Sequence, residues 1–168
     1  MCYQNSDWRW ALRRIEQSRL NGKIEVDLSD LEIHNIPNQL LDLAPTLKKL
    51  NLFNTEIDDI TPLAGLINLK KLYLWGTNIT DVTPLARLKK LTTLDLCYTK
   101  ITSITPLAGL INLKELYLRK ANITDIAPLV GLPNLKELGL FGVNIKNLTP
   151  LKELKERGCK IFGIKGIS

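Results

Sequence analysis

Few side chains in this chain of 168 residues could do chemistry, and their spacing excludes most of it. His34 is the single histidine, and no acid, serine or cysteine stands at a catalytic spacing from it, so a place in a turn is its expected role. Cys2, Cys97 and Cys159 are widely separated, odd in number and form no Cys-x-x-Cys pair. That disfavours a disulfide framework or a zinc site and fits a reducing compartment. Cys97 has no histidine near it in the chain, so it reads as a small surface thiol rather than a nucleophile. Asp59, Asp81 and Asp125 recur at one place of a repeat, interrupted by Ser103 and Asn147. Calcium ligands could be stacked that way, but such residues more commonly accept backbone hydrogen bonds in turns. The closing "GIKGIS" lacks the spacing of a phosphate loop. No catalytic residue, metal set or cofactor site emerges, so no enzyme is expected. Asn78, Asn122 and Asn147 match the glycosylation pattern, which the repeat itself generates. "MCYQNSDWRW" has no secretory leader character, so a cytoplasmic location with unmodified asparagines is expected. Export by a non-classical route stays open.

The elements that must carry any function are set by a repeat. "TPLAGLINLK" occupies residues 61–70 and again 105–114, and the separation is twice 22. At period 22 the chain lays out as five rows starting at Leu47, Leu69, Leu91, Leu113 and Leu135. Leu, Ile or Val recurs at places 1, 4, 6, 11, 14, 17 and 20 of every row. A fixed period in this range marks a solenoid. Places 4 and 6 alternate with polar neighbours, as in a strand with one buried face. Places 15–17 read Thr-Pro-Leu in four rows and Ala127-Pro128-Leu129 in the other. Threonine can cap a helix start, and proline suits the first turn because its missing N–H would have no partner there. Each row is therefore a short strand, a turn and a short helical segment whose leucines need neighbouring rows for burial.

These rows resemble the leucine-rich repeat family, with its LxxLxLxx(N/T)xI core, over roughly residues 23–163. Their length and the "NITDITPLAGL" flavour are similar to the bacterial internalin-type class. The resemblance implies an α/β solenoid, with a curved parallel sheet on its concave side and short helical or 3-10 turns on its convex side. It also implies a protein-binding role. One departure stands out. Place 9, usually an asparagine ladder in the family, is Thr55, Thr77, Thr99, Ala121 and Val143. Threonine is expected to replace that ladder in part and alanine and valine are not, so waters or backbone shifts are expected to satisfy the turns of the last two rows.

The ends differ from the middle. Residues 1–22 read as an amphipathic helical cap, with Ser6 or Asp7 at its start, Trp8, Leu12 and Ile15 on one face, and Gly22 past its end. Residues 23–46 form an irregular first row, two residues longer than the rest. Residues 47–156 hold the five regular rows, and 157–168 a closing strand. Strict register would bury Lys160 and Phe162 there; a one-residue slip buries Cys159 and Ile161 instead and is expected. The whole reads as one domain.

What varies between rows is confined to places 5, 7 and 8, on the strand face pointing away from the core. Phe53, Asn54, Tyr73, Trp75, Asp95, Tyr98, Tyr117, Arg119 and Phe141 stand there. So many rings at exposed strand positions suit a binding surface centred on Trp75, Tyr98 and Arg119, since aromatics and arginine dominate interface hot spots. Rings that merely stack across strands are the alternative, above all for Tyr73 and Tyr117. Seven strands about 4.8 Å apart make a face roughly 29 Å long, enough for a folded protein or a helix laid across it. Lys48, Lys70, Lys114 and Lys136 form a column at place 2. With a net charge of only +6 that column reads as a solvated edge, and nucleic acid is disfavoured. No apolar run approaches the roughly 18 residues of a membrane span. The expected function is a monomeric, non-catalytic protein-interaction module. The alternatives are a regulatory subunit of a cytosolic enzyme, or an exported adhesin or effector of the internalin type.

Overall fold

The computed structural model of the chain describes residues 6–164. Helix α1 (Ser6–Leu20) leads into seven short strands: β1 (Glu25–Asp27), β2 (Lys49–Asn51), β3 (Lys71–Tyr73), β4 (Thr93–Asp95), β5 (Glu115–Tyr117), β6 (Glu137–Gly139) and β7 (Lys160–Phe162). All neighbours pair in parallel and in sequence order. A 3-10 helix returns the chain in each of the first five rows, and helix α2 (Thr149–Glu156) replaces it in the last. Residue 50 pairs with 72, 72 with 94, 94 with 116 and 116 with 138, a constant step that the constant row length dictates.

The invariant places fill the interior. Leu50, Leu72, Leu94, Leu116 and Leu138, with Leu52, Leu74, Leu96, Leu118 and Leu140 two residues on, are fully buried in stacked columns. At roughly 2 kcal/mol per buried leucine these columns are the main source of stability. No strand could hold itself: each is three residues long, and its leucines are buried only in the core that the stacked rows share.

The turns correct two sequence-based expectations. The 3-10 helices begin at the threonine, but threonine does not cap them. The cap comes from two residues earlier: Asp59 Oδ1 accepts the Thr61 amide at 2.7 Å and Asp81 Oδ1 the Thr83 amide at 2.8 Å. Asp125, Ser103 and Asn147 do the same for Ala127, Thr105 and Thr149. So the recurring place that could have been a calcium ladder is a capping position, which explains why serine and asparagine substitute there. Hydrogen bonds from Thr61 and Thr83 hold the Asp59 and Asp81 carboxyls below their ordinary range.

Place 9 is the second correction. The Thr55, Thr77 and Thr99 hydroxyls do not bridge rows; they donate to the Leu52, Leu74 and Leu96 carbonyls of their own turns at 2.9, 2.8 and 2.7 Å. In the last two rows the backbone closes the same turn, Ala121 N–H donating to the Leu118 carbonyl at 3.0 Å and Val143 N–H to that of Leu140 at 3.1 Å. Neither a water nor a shifted chain is needed to satisfy those carbonyls.

At the N-terminal end α1 packs Ala11 and Ile15 into the core, with Trp8 and Leu12 partly buried, while Trp10 is exposed beside Arg13. Asp7 accepts the amide of Glu32 in the irregular row instead of serving α1 alone. Gly22, at φ 60°, lets Lys23 N–H reach back to the Ser18 carbonyl and Gly22 N–H to that of Arg19, the paired bonds of a helix stop. The helix also seals the edge strand. Arg14 donates to the carbonyls of Asp27 and Ser29, and Ser18 to that of Glu25. An unpaired parallel edge would otherwise invite another strand. At the other end the register slips as expected. Gly139 pairs with Phe162, a step of 23 instead of 22. Cys159 is buried and Ile161 packs against the core, while Lys160 and Phe162 stay exposed. The closing segment has room for the extra residue because it is α-helical. Cys2 and the last four residues of the chain lie outside the described residues.

Candidate protein-binding face

Side chains at places 3, 5 and 7 leave the strands on the concave side, because the pleat sends alternate residues to opposite faces. Place 8 lies just beyond, where the backbone turns left-handed in every row: Asp30, Asn54, Gly76, Tyr98, Lys120 and Gly142 have φ between 53° and 70°. Glycine and asparagine fit that conformation readily, and Asn54 further ties down the turn by donating to Asp30 Oδ1 at 3.0 Å. A tyrosine there is strained, yet Tyr98 occupies the position at φ 55°.

The reason appears one row away. Phe53 and Trp75 stack with ring centroids 4.4 Å apart and planes 12° from parallel. Trp75 meets Tyr98 at 5.1 Å. Arg119 lies over the Tyr98 ring at 5.5 Å and over Phe141 at 5.9 Å. Five of the nine residues singled out from the sequence thus form an unbroken ladder of rings and one guanidinium across five successive rows. Trp75 is half-buried rather than open, since rings cover it on both sides, whereas Tyr98 and Phe141 are 40% and 50% exposed.

Cys97 corrects the expectation of a surface thiol: it is only 7% exposed. It is the one small side chain at place 7, in line between Trp75 and Arg119 of the adjacent rows and next to Tyr98, so larger groups shade it. Burial, aided by the Asp95 carboxylate, pushes its thiol up to about 12, far from the thiolate a nucleophile needs. Tyr98 takes the ring's place in that row, filling from place 8 what cysteine leaves empty at place 7.

The remaining predicted residues lie in the adjacent columns. Tyr73, half-buried, pairs in register with Asn51 and Asp95. Asp95 Oδ1 accepts the Cys97 amide at 2.9 Å. Tyr117 leans over Gly139, where an added Cβ would stand 3.0 Å from its ring, and donates its hydroxyl to Glu137 Oε2 at 3.1 Å. Partial burial and then the Glu137 carboxylate raise the Tyr117 hydroxyl to about 12.

Place 3 was not singled out from the sequence, yet it faces the same way. Its column reads Glu25, Lys49, Lys71, Thr93, Glu115, Glu137 and Lys160. Lys49 bridges to Glu25 at 3.1 Å. Glu115 accepts the Thr93 hydroxyl at 3.1 Å. The signal is legible as the third residue of each row, directly beside the place-2 lysine column. Among the described residues no group of three His, Cys, Asp or Glu is placed to hold a metal, and no helix is long and apolar enough to cross a membrane.

A family model described as leucine rich repeats, two copies, matches residues 67–109 and 111–153. Internalin C2 from Listeria monocytogenes is 38% identical, with a TM-score of 0.75 over 82% of this chain. The chain spans 60% of the length of that internalin. A leucine-rich repeat protein of Leptospira interrogans is 25% identical with a TM-score of 0.73, over 88% of this chain and 38% of that one. No curated protein matches the sequence.

Proposed function

The chain belongs to the leucine-rich repeat family, and from that premise we propose that it is a non-catalytic protein-binding module whose concave sheet receives the partner. The observation that carries this reading is the ladder Phe53–Trp75–Tyr98–Arg119–Phe141. Rings and arginine are the residues that anchor interfaces, and here each is held by its neighbour before a partner arrives. Pre-ordering of that kind lowers the entropy cost of association. Keeping a tyrosine in left-handed backbone at place 8 runs against stability, which supports a functional demand on that ring. Asn54, Tyr73, Asp95 and Tyr117 complete the face around the ladder.

Affinity capture with the wild type and with a Trp75→Ala/Arg119→Ala variant tests this. A partner of the concave face is retained by the first and lost by the second. Equal capture of every bound protein by both forms ends the proposal. A second reading, an exported adhesin or effector of the internalin type, is favoured by the 38% identity to internalin C2. It uses the same face and differs in location, so fractionation of cells producing the protein separates it from a cytosolic regulatory subunit.

A further inference from the structure

The concave face divides into two stripes of different chemistry. One is the ring ladder. The other surrounds Tyr117 with three carboxylates, from Asp95, Glu115 and Glu137. Asp95 and Tyr117 are register partners, and so are Glu115 and Glu137. All three carboxylates bear on the Tyr117 hydroxyl. Each accepts a hydrogen bond from a neutral donor, the Cys97 amide, the Thr93 hydroxyl and the Tyr117 hydroxyl respectively. None is in an ion pair among the described residues; Lys160, the register partner of Glu137, and Lys71 in the same column do not bridge to them. Lys114 and Lys136, which directly precede Glu115 and Glu137, do not bridge to them either, and Arg119, two residues past Tyr117, is engaged over the Tyr98 and Phe141 rings.

Like charges directly opposite on a sheet are destabilising. Here that arrangement persists in a chain with 23 lysines and arginines and a net charge of +6. The neutral donors fix the carboxylates without discharging them. We propose that the concave face takes a basic protein segment, one that lays an apolar side chain against Phe53, Trp75 and Tyr98 and places a lysine or arginine among Asp95, Glu115 and Glu137. The inference rests on the concave-face reading above and adds to it the chemistry of the occupant. A cation brought there relieves the Glu115–Glu137 repulsion, and the adjacent apolar contact selects against a merely basic chain.

The test is selection of a random dodecapeptide library displayed on phage, against the wild type at low ionic strength. Selected peptides are expected to be enriched in lysine or arginine beside an aromatic or aliphatic residue. The tightest of them, synthesised, should lose about tenfold in affinity against Glu115→Gln/Glu137→Gln and weaken as salt rises. Circular dichroism checks that both variants keep the wild-type fold. A selection without binders, binders without basic enrichment, or affinity indifferent to the two glutamines overturns the proposal. Loss of binding with Trp75→Ala but not with the glutamine variant removes only the basic segment and leaves the concave-face reading standing. Indifference to Trp75→Ala as well removes both.

Discussion

Leu96 and Cys97 are consecutive, and they belong to columns that obey opposite rules. The column through Leu96 holds leucine in all five regular rows, fully buried each time. The column through Cys97 holds Phe53, Trp75, Cys97, Arg119 and Phe141, no two adjacent ones alike. A single peptide bond separates the face that stacks rows from the face that is free to differ. Interior positions must fit the same volume in every row, because each row is packed between two near-copies of itself. Concave positions face only their neighbours and the solvent, so they can be individual. The contrast shows where stability and recognition divide in this molecule.

The sharpest way to break the contrast is Leu96→Asp. An unpaired carboxylate between rows should cost more than the chain can bear, and far-ultraviolet circular dichroism should show loss of cooperative folding. Leu118→Ala is milder, with an expected loss of about 3 kcal/mol in urea denaturation. If Trp75→Ala destabilised the protein as much as Leu118→Ala, the division would be wrong. We expect about 1 kcal/mol or less for it, the value of a stacked ring pair on a sheet. Thr99→Val probes the border between the two regimes. Its hydroxyl serves only the Leu96 carbonyl, so the loss should be about 1 kcal/mol, and the last two rows show that the turn closes without it.

The smallest effects are in pH dependence. Tyr117 ionises at about 12 in the folded chain, above its ordinary value. The raised value means that folding favours the neutral phenol. Its contribution is complete below pH about 10 and is lost as pH rises towards 12. Spectrophotometric titration should show one late tyrosine, which Glu137→Gln moves earlier. The capping carboxylates work in the opposite direction. Asp59 and Asp81 are held low in the folded state, so their stabilisation is present above pH about 4 and falls away as acid protonates them. Asp81→Asn should flatten the acid limb of the stability curve slightly.

The solenoid, the strand positions, the slipped register at Cys159 and the family were all legible in the linear order of residues. Five near-copies in sequence leave only one way to bury seven recurrent apolar places: neighbour against neighbour. The same comparison located the variable face and its aromatic residues. It misassigned three local features, and each error had a geometric cause. Threonine before proline looks like a cap, but the first amide of each 3-10 turn donates instead to the side chain two positions earlier. A threonine where the family has asparagine looks like a ladder member, yet its short side chain reaches only its own turn. Cys97 looks exposed by parity, but parity says which way a side chain points and not whether its larger neighbours cover it.

Periodicity alone determined that the leucines point into the interior and that places 5, 7 and 8 point to the concave side, because a repeat of fixed length can stack in only one register. Sequence could not say that Phe53, Trp75, Tyr98, Arg119 and Phe141 touch in a line, nor that no lysine or arginine side chain bridges to Glu115 and Glu137. Those relations join residues a full row apart. They depend on ring orientation and on side chains crossing from one column to the next, and only the stacked rows bring them within reach.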